Sequence, residues 1–207
     1  MSAFVAASGF SAQGRSRLRF VSSGRPAVFG VSLRRGVQFQ GARPYSRTTP
    51  KMAASLHDIK MKDIDGNPVD FSSMKGKPVL AVNVACFCGY TKKVYTMMKD
   101  LSEKYDDKIQ VVAFPSNEFG AQEPGTPDEI KSFVSDQYGS KILIMEKSSV
   151  KGSSANEVFK LGKDAGVGEP QWNFDGRLIF DKDGKLSKRL TNAATMPDMD
   201  AEIQKVL

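Results

Sequence analysis

The sequence predicts an α/β domain, a central mixed β-sheet flanked by helices on both faces. Three observations carry this reading. Residues 78–114 hold two apolar runs separated by a segment of helical periodicity, the length of a parallel strand–helix–strand crossover. Residues 172–190 hold two strand-like runs around Asp181-Lys182-Asp183-Gly184, an antiparallel hairpin. Between these units, separate helical segments open on capping signals.

Taken in order, Ile59 to Phe71 alternates around Asp65-Gly66-Asn67-Pro68 and reads as a first hairpin. Pro78 to Ala85 is almost continuously apolar, as a strand covered on both faces must be. Thr91 to Tyr105 shifts to helical spacing, with Val94, Met97, Met98, Leu101 and Tyr105 on one side. Lys108 to Phe114 is the second buried strand. At Thr126-Pro127-Asp128-Glu129, a cap, a first-turn proline and a reciprocal glutamate announce a helix whose Ile130, Phe133 and Val134 face the core. Ile142 to Met145 is a short strand, and Ser154-Ala155-Asn156-Glu157 repeats the capping-box pattern ahead of another helix. Trp172 to Phe180 and Lys185 to Leu190 form the second hairpin, and Pro197 to Leu207 closes with a helix. A parallel unit first and an antiparallel hairpin last is the thioredoxin-like arrangement.

Charge divides the chain. Of 30 basic residues, nine lie in residues 1–57: Arg15, Arg17, Arg19, Arg25, Arg34, Arg35, Arg43, Arg47 and Lys51, with no acid among them. The remainder has 21 basic residues against 23 acidic ones, so the working domain offers no basic face to a nucleic acid. An acid-free leader rich in Ser, Arg, Ala and Gly reads as an organelle transit peptide over residues 1–54, leaving a domain at 55–207. A disordered basic tail with a binding role is the plainer alternative. The uncharged start with Phe4 and Phe10 favours a plastid; Arg43-Pro44-Tyr45-Ser46, similar to a mitochondrial processing site, makes the mitochondrion the alternative. No run of about 18 apolar residues exists for a membrane span.

The chain has two cysteines, Cys86 and Cys88, where the apolar run of 78–85 gives way to a helix. A thiol there lies near the unpaired amides of the helix start, which favour the thiolate. Zinc wants four ligands, and the single histidine, His57, lies at the leader or domain edge, so no metal site is expected. The one-residue spacing is not the redox CxxC pair, and no core histidine exists to serve as an imidazole base. Cys86 taken alone reads as a small inert core residue. Cys88 does not, because Gly89 follows at once and permits close approach and unusual backbone angles.

Asn83-Val84-Ala85-x-x-Cys88-Gly89-x-Thr91 resembles the signature of the glutathione peroxidase family. So do Phe114-Pro115-Ser116-Asn117-Glu118-Phe119-Gly120-Ala121-Gln122-Glu123-Pro124-Gly125 and Trp172-Asn173-Phe174. Weaker matches at Asp63-Ile64-Asp65-Gly66 and Phe180 to Gly184 fall in the right order, so the resemblance spans about residues 58–207. It implies that Cys88 is the peroxidatic cysteine and that Gln122, Trp172 and Asn173 complete the catalytic set. Each of the three is a hydrogen-bond donor that can favour S⁻ without a buried cation. Taken singly, Trp172 reads as core, Gln122 as a loop residue and Asn173 as a cap; their joint order with the cysteine motif overturns this. The implied enzyme reduces hydrogen peroxide or organic, including lipid, hydroperoxides through a Cys88 sulfenic acid. It needs no bound cofactor and draws electrons from glutathione or a thioredoxin-type protein as co-substrate. A monomer is expected. A redox sensor or relay that passes oxidation to a client protein is the alternative, and an inactive relative a third reading.

The chain also departs from the resemblance. Many relatives of this type carry a resolving cysteine after the Phe-Pro-x-Asn loop, yet Ile130 to Val150 has none. Ser116 stands where cysteine is common, Cys86 where serine is usual, and Glu118 where glutamine is usual. Glu118 would raise the Cys88 pKa if its carboxylate pointed inward. Two resolving routes remain: direct attack by the external thiol, which is favoured, or a Cys86–Cys88 bridge. Extended backbone would hold the two Cα atoms about 6.6–6.8 Å apart, at the limit for bridging, so the second route needs a turn.

Overall fold

The structure, a computed structural model, describes residues 54–207. The predicted transit peptide lies outside these residues except for Ala54. The first element is a short 3₁₀ turn, Leu56–Asp58, capped by Ser55. It is fastened to the far end of the domain, where the Ser55 hydroxyl donates to the Asp183 carbonyl and the Leu56 N–H to the Gly184 carbonyl. Gly184 has φ +74°, and a Cβ there would sit 2.4 Å from Ser55 Oγ. The close approach therefore requires glycine.

β1 (Lys60–Lys62) and β2 (Pro68–Asp70) form the expected first hairpin as a separate two-stranded sheet. The main sheet contains β3 (Val79–Val84), β4 (Gln110–Pro115), β5 (Leu143–Ile144), β6 (Arg177–Phe180) and β7 (Leu186–Leu190), in the order β5-β4-β3-β6-β7. β3 pairs in parallel with β4 and antiparallel with β6, so the sheet is mixed about its central strand. α1 (Thr91–Tyr105) makes the crossover from β3 to β4. α2 (Pro127–Tyr138) carries the predicted capping box of Thr126 and Glu129. α3 (Glu157–Asp164) and α4 (Met196–Gln204) complete the set.

All six residues of β3 are buried, and their alternation sorts the core into two layers. Leu80, Val82 and Val84 face α1, α2 and α4 through Val94, Met98, Leu101, Ile130, Val134, Met199 and Ile203. Val79 and Ala81 face the other layer, where Leu56, Ile59 and Phe71 pack with Val158 and Phe159 of α3. Full burial of each Val or Leu contributes about 1.5–3 kcal/mol, so both layers hold the same central strand. Helices thus cover both faces in the thioredoxin-like manner.

Three expectations need correction. The last hairpin begins at Arg177, not Trp172, because Phe174 adopts φ +63° and cannot continue a strand. The cap of α3 is Asn156, whose side chain accepts from the Phe159 N–H, not Ser154 two residues earlier. The short strand expected over 142–145 contracts to two residues.

Candidate active site

β3 and β4 are parallel and β6 runs against β3, so the C-terminal ends of β3 and β4 and the N-terminal end of β6 meet on one edge of the sheet. Cys86 and Cys88 lie in the turn that follows β3, Gln122 lies in the loop that follows β4, and Trp172 and Asn173 precede β6. Ligands commonly bind at such strand ends.

Residues 86–90 turn instead of extending. Thr91, the first residue of α1, fixes that turn. Its hydroxyl donates to the Ala85 carbonyl (2.6 Å) and accepts from the Cys88 N–H (3.1 Å), while its own N–H reaches the Cys88 carbonyl (3.0 Å). Gly89 contributes differently from expectation. It is not in the left-handed region, and a Cβ there would meet nothing within 4 Å, so the space beside Cys88 is open. Both thiols are free and buried, each with 9% exposure. They line one cleft of about 540 Å³ between α1 and α2.

Gln122, Trp172 and Asn173 come together as the sequence predicted. The Asn173 amide donates to Gln122 Oε1 (2.9 Å) and to the Phe119 carbonyl (3.2 Å). Both Asn173 donors are therefore occupied, and the Gln122 NH₂ has no acceptor among the described residues. The indole of Trp172 is 40% exposed, tilted over Phe119 at 6.1 Å, and its N–H has no protein acceptor among the described residues. Backbone strain frames the pair. Gly120 and Ala121 are successively left-handed (φ +65° and +51°) just before Gln122, and Phe174 is left-handed just after Asn173. A non-glycine residue in that region costs about 1–2 kcal/mol, a strain found where a site over-determines the backbone.

The Cys88 turn is joined to this group through backbone: the Phe87 N–H donates to the Gln122 carbonyl (3.0 Å). Among the described residues no hydrogen bond links the Cys88 sulfur itself to Gln122, Trp172 or Asn173. Glu118 does not point at the cysteines. Its carboxylate accepts from the Val150 N–H (2.6 Å) and the Ser116 hydroxyl (3.2 Å). His57 is buried at the domain edge beside Gly184, away from this end of the sheet.

Three residues that sequence reasoning left unassigned organise the site. Asn83, fully buried in β3, holds the Trp172–Gly176 loop: Nδ2 donates to the Trp172 carbonyl (2.9 Å), Oδ1 accepts from the Gly176 N–H (2.7 Å), and its carbonyl accepts from the Phe174 N–H (2.8 Å). The signal was a lone amide in an apolar strand. Arg177, also fully buried, donates to the carbonyls of Phe174, Asn192 and Ala194, and burial lowers its pKa. The third is Glu123. It has no exposure, and its carboxyl stands beside the Cys86 amide and thiol, close enough to perturb both. Among the described residues neither carboxyl oxygen makes a hydrogen bond within strict geometry. Burial raises the Glu123 pKa to about 7; burial and the Glu123 charge push the Cys86 thiol up.

A sequence model of the glutathione peroxidase family matches residues 56–163. An Arabidopsis thaliana protein named as a chloroplastic glutathione peroxidase is 36% identical over 197 residues, 93% of this chain and 83% of its own. The "Glutathione peroxidase-like peroxiredoxin 2" of Saccharomyces cerevisiae is 37% identical over 162 residues, 75% of this chain and 99% of its own. The crystal structure of T. cruzi GPX1 superposes with a TM-score of 0.61 at 28% identity, covering 73% of this chain and 95% of its own.

Proposed function

The chain belongs to the glutathione peroxidase family, and from that premise we propose that it is a cysteine-dependent peroxidase working through a Cys88 sulfenic acid. The observation that supports this best is the Gln122–Asn173 pair. Asn173 holds the Gln122 oxygen, and among the described residues neither the Gln122 NH₂ nor the Trp172 indole N–H has an acceptor. The Phe87–Gln122 backbone bond keeps these donors against the cysteine turn.

The Cys88 thiolate attacks the nearer peroxide oxygen. The O–O bond breaks, sulfur gains the hydroxyl, and the distal oxygen leaves as water or alcohol once protonated. Donors aimed at the peroxide stabilise the negative charge that develops on the leaving oxygen. Phe87 (69% exposed), Tyr90 and Trp172 are exposed aromatic side chains on the segments that carry these groups, an apolar surface suited to an organic or lipid hydroperoxide as well as to hydrogen peroxide. Several relatives are named as phospholipid hydroperoxide glutathione peroxidases. Electrons return from glutathione or a thioredoxin-type protein. The leader directs the chain to a plastid; relatives with chloroplastic names support this, and one with a mitochondrial name keeps the mitochondrion as the alternative. A fusion of residues 1–54 to a fluorescent reporter, followed by microscopy, decides between the two.

The test of function is a steady-state assay of peroxide consumption with glutathione and with thioredoxin as alternative reductants. Turnover with either, abolished in Cys88→Ser, is expected. Rapid oxidation of Cys88 without turnover by either reductant would make the chain a redox relay, and activity surviving in Cys88→Ser would remove Cys88 from the mechanism.

A further inference from the structure

The buried carboxyl of Glu123 has no role in the peroxide step, yet it sits against the other thiol. Cys86 lines two openings. One is the cleft it shares with Cys88; the other is an apolar groove of about 430 Å³, bordered by Phe87, Pro124 and Ile130, which it shares with Glu123. Cys86 therefore lies in the wall between the Cys88 cleft and the Glu123 groove. The turn over residues 86–90 also removes the obstacle that extended backbone set against a Cys86–Cys88 bond.

We infer that Cys86 is the resolving thiol of this chain and that Glu123 is the base that takes its proton as the Cys86–Cys88 disulfide forms. This rests on the peroxidase reading, since Cys88 sulfenic acid is its starting point. The Cys86 sulfur attacks the Cys88 sulfur; an S–S bond forms and the Cys88 S–O bond breaks. The Cys86 proton passes to the Glu123 carboxylate and from there to the leaving hydroxide, which departs as water. The Cys86 sulfur is oxidised by one electron-equivalent and the Cys88 sulfur reduced by one. The external dithiol or two molecules of glutathione then reopen the bridge.

The carboxylate makes this work because Cys86 does not ionise on its own. Burial and the adjacent negative charge hold its proton on, so nucleophilic attack requires an acceptor already in place. Glu123 becomes that acceptor only as its own proton leaves, as pH rises through about 7. The other titratable groups that face the pair are Tyr95 of α1, Glu129 and Tyr138 of α2, and Lys147; Glu129 lines the same groove with its carboxylate accepting from the Thr126 N–H, the phenols are raised by burial, and Lys147 lowers the Glu123 pKa. The Lys147 ammonium is itself held by the backbone carbonyls of Glu123 and Gly125, not by the carboxylate.

The experiment follows a single turnover. Full-length reduced protein is mixed with one equivalent of hydrogen peroxide without reductant. It is quenched over time with a thiol alkylator and a sulfenic-acid trap, and read by mass spectrometry across pH 5.5–8.5. An intramolecular bridge is expected, forming faster as pH rises through about 7. Glu123→Gln should slow bridge formation about 100-fold and flatten its pH profile, a typical loss for a general base. Glu123→Asp should recover part of both. Persistent Cys88 sulfenic acid in the unaltered protein, or an identical pH profile in Glu123→Gln, overturns the inference while leaving the peroxidase reading intact. If Cys88 is never oxidised, the peroxidase reading itself fails.

Discussion

A carboxyl with no exposure and no hydrogen-bond partner is an uncommon residue to keep, and Glu123 has a measurable signature. Its pKa is raised in the folded protein, from 4.5 to about 7, so the native state holds a proton that the unfolded chain releases. The contribution to stability is thus favourable below about pH 4.5 and is lost as pH rises to about 7. Urea unfolding at pH 5 and pH 8 should show Glu123→Gln to be more stable than the parent at pH 8, by up to about 3 kcal/mol, with most of that gain absent at pH 5. At Ala121 the expected change is also a gain: Ala121→Gly relieves a left-handed alanine and should add up to about 1 kcal/mol. Its single-turnover rate of peroxide consumption should fall, because the loop that aims Gln122 loosens. Trp172→Phe keeps an apolar ring and removes the indole donor, so oxidation of Cys88 should slow; an unchanged rate would reduce Trp172 to packing. At this scale the sequence showed which residues belong together but not where their atoms point. That Asn173 donates to Gln122, or that Glu118 turns to Val150, depends on neighbours 51 and 32 residues away.

Among elements, β3 is the organiser, since its buried Asn83 grips the loop that carries Trp172 and Asn173. Asn83→Val keeps the apolar character of the strand but strands a buried N–H and a carbonyl. It should cost about 2–4 kcal/mol in urea unfolding and should slow Cys88 oxidation as well. Gly176→Ala tests the same joint from the other side. A Cβ there would lie 2.8 Å from the Phe159 ring and 3.1 Å from Asn83 Oδ1, so about 1–3 kcal/mol of overpacking is expected. Hydrophobic period made β3, α1 and β4 legible in the sequence, and a capping box marked the start of α2 at its first residue. The start of β6 was not legible. The apolar pattern runs through Phe174, and the bonds from its N–H to the Asn83 carbonyl and from Arg177 Nε to its own carbonyl hold that residue in a conformation no strand allows.

For the whole molecule, the fold places two jobs at opposite ends of one sheet. One end holds the reacting groups; at the other, Ser55 and Leu56 are pinned to the Asp181–Gly184 turn. A chain beginning at Ala54 should therefore keep its melting temperature and peroxide turnover, checked by thermal unfolding and the steady-state assay. Trp172 gives the assembled molecule one more property. It is the sole tryptophan of 207 residues, half-open to solvent and one residue before the Asn173 that bonds Gln122. Light emitted on indole excitation thus originates at the Trp172–Gly176 loop alone. Any change at the loop that carries Trp172 and Asn173 is therefore readable from one indole, without an attached dye, in the native protein.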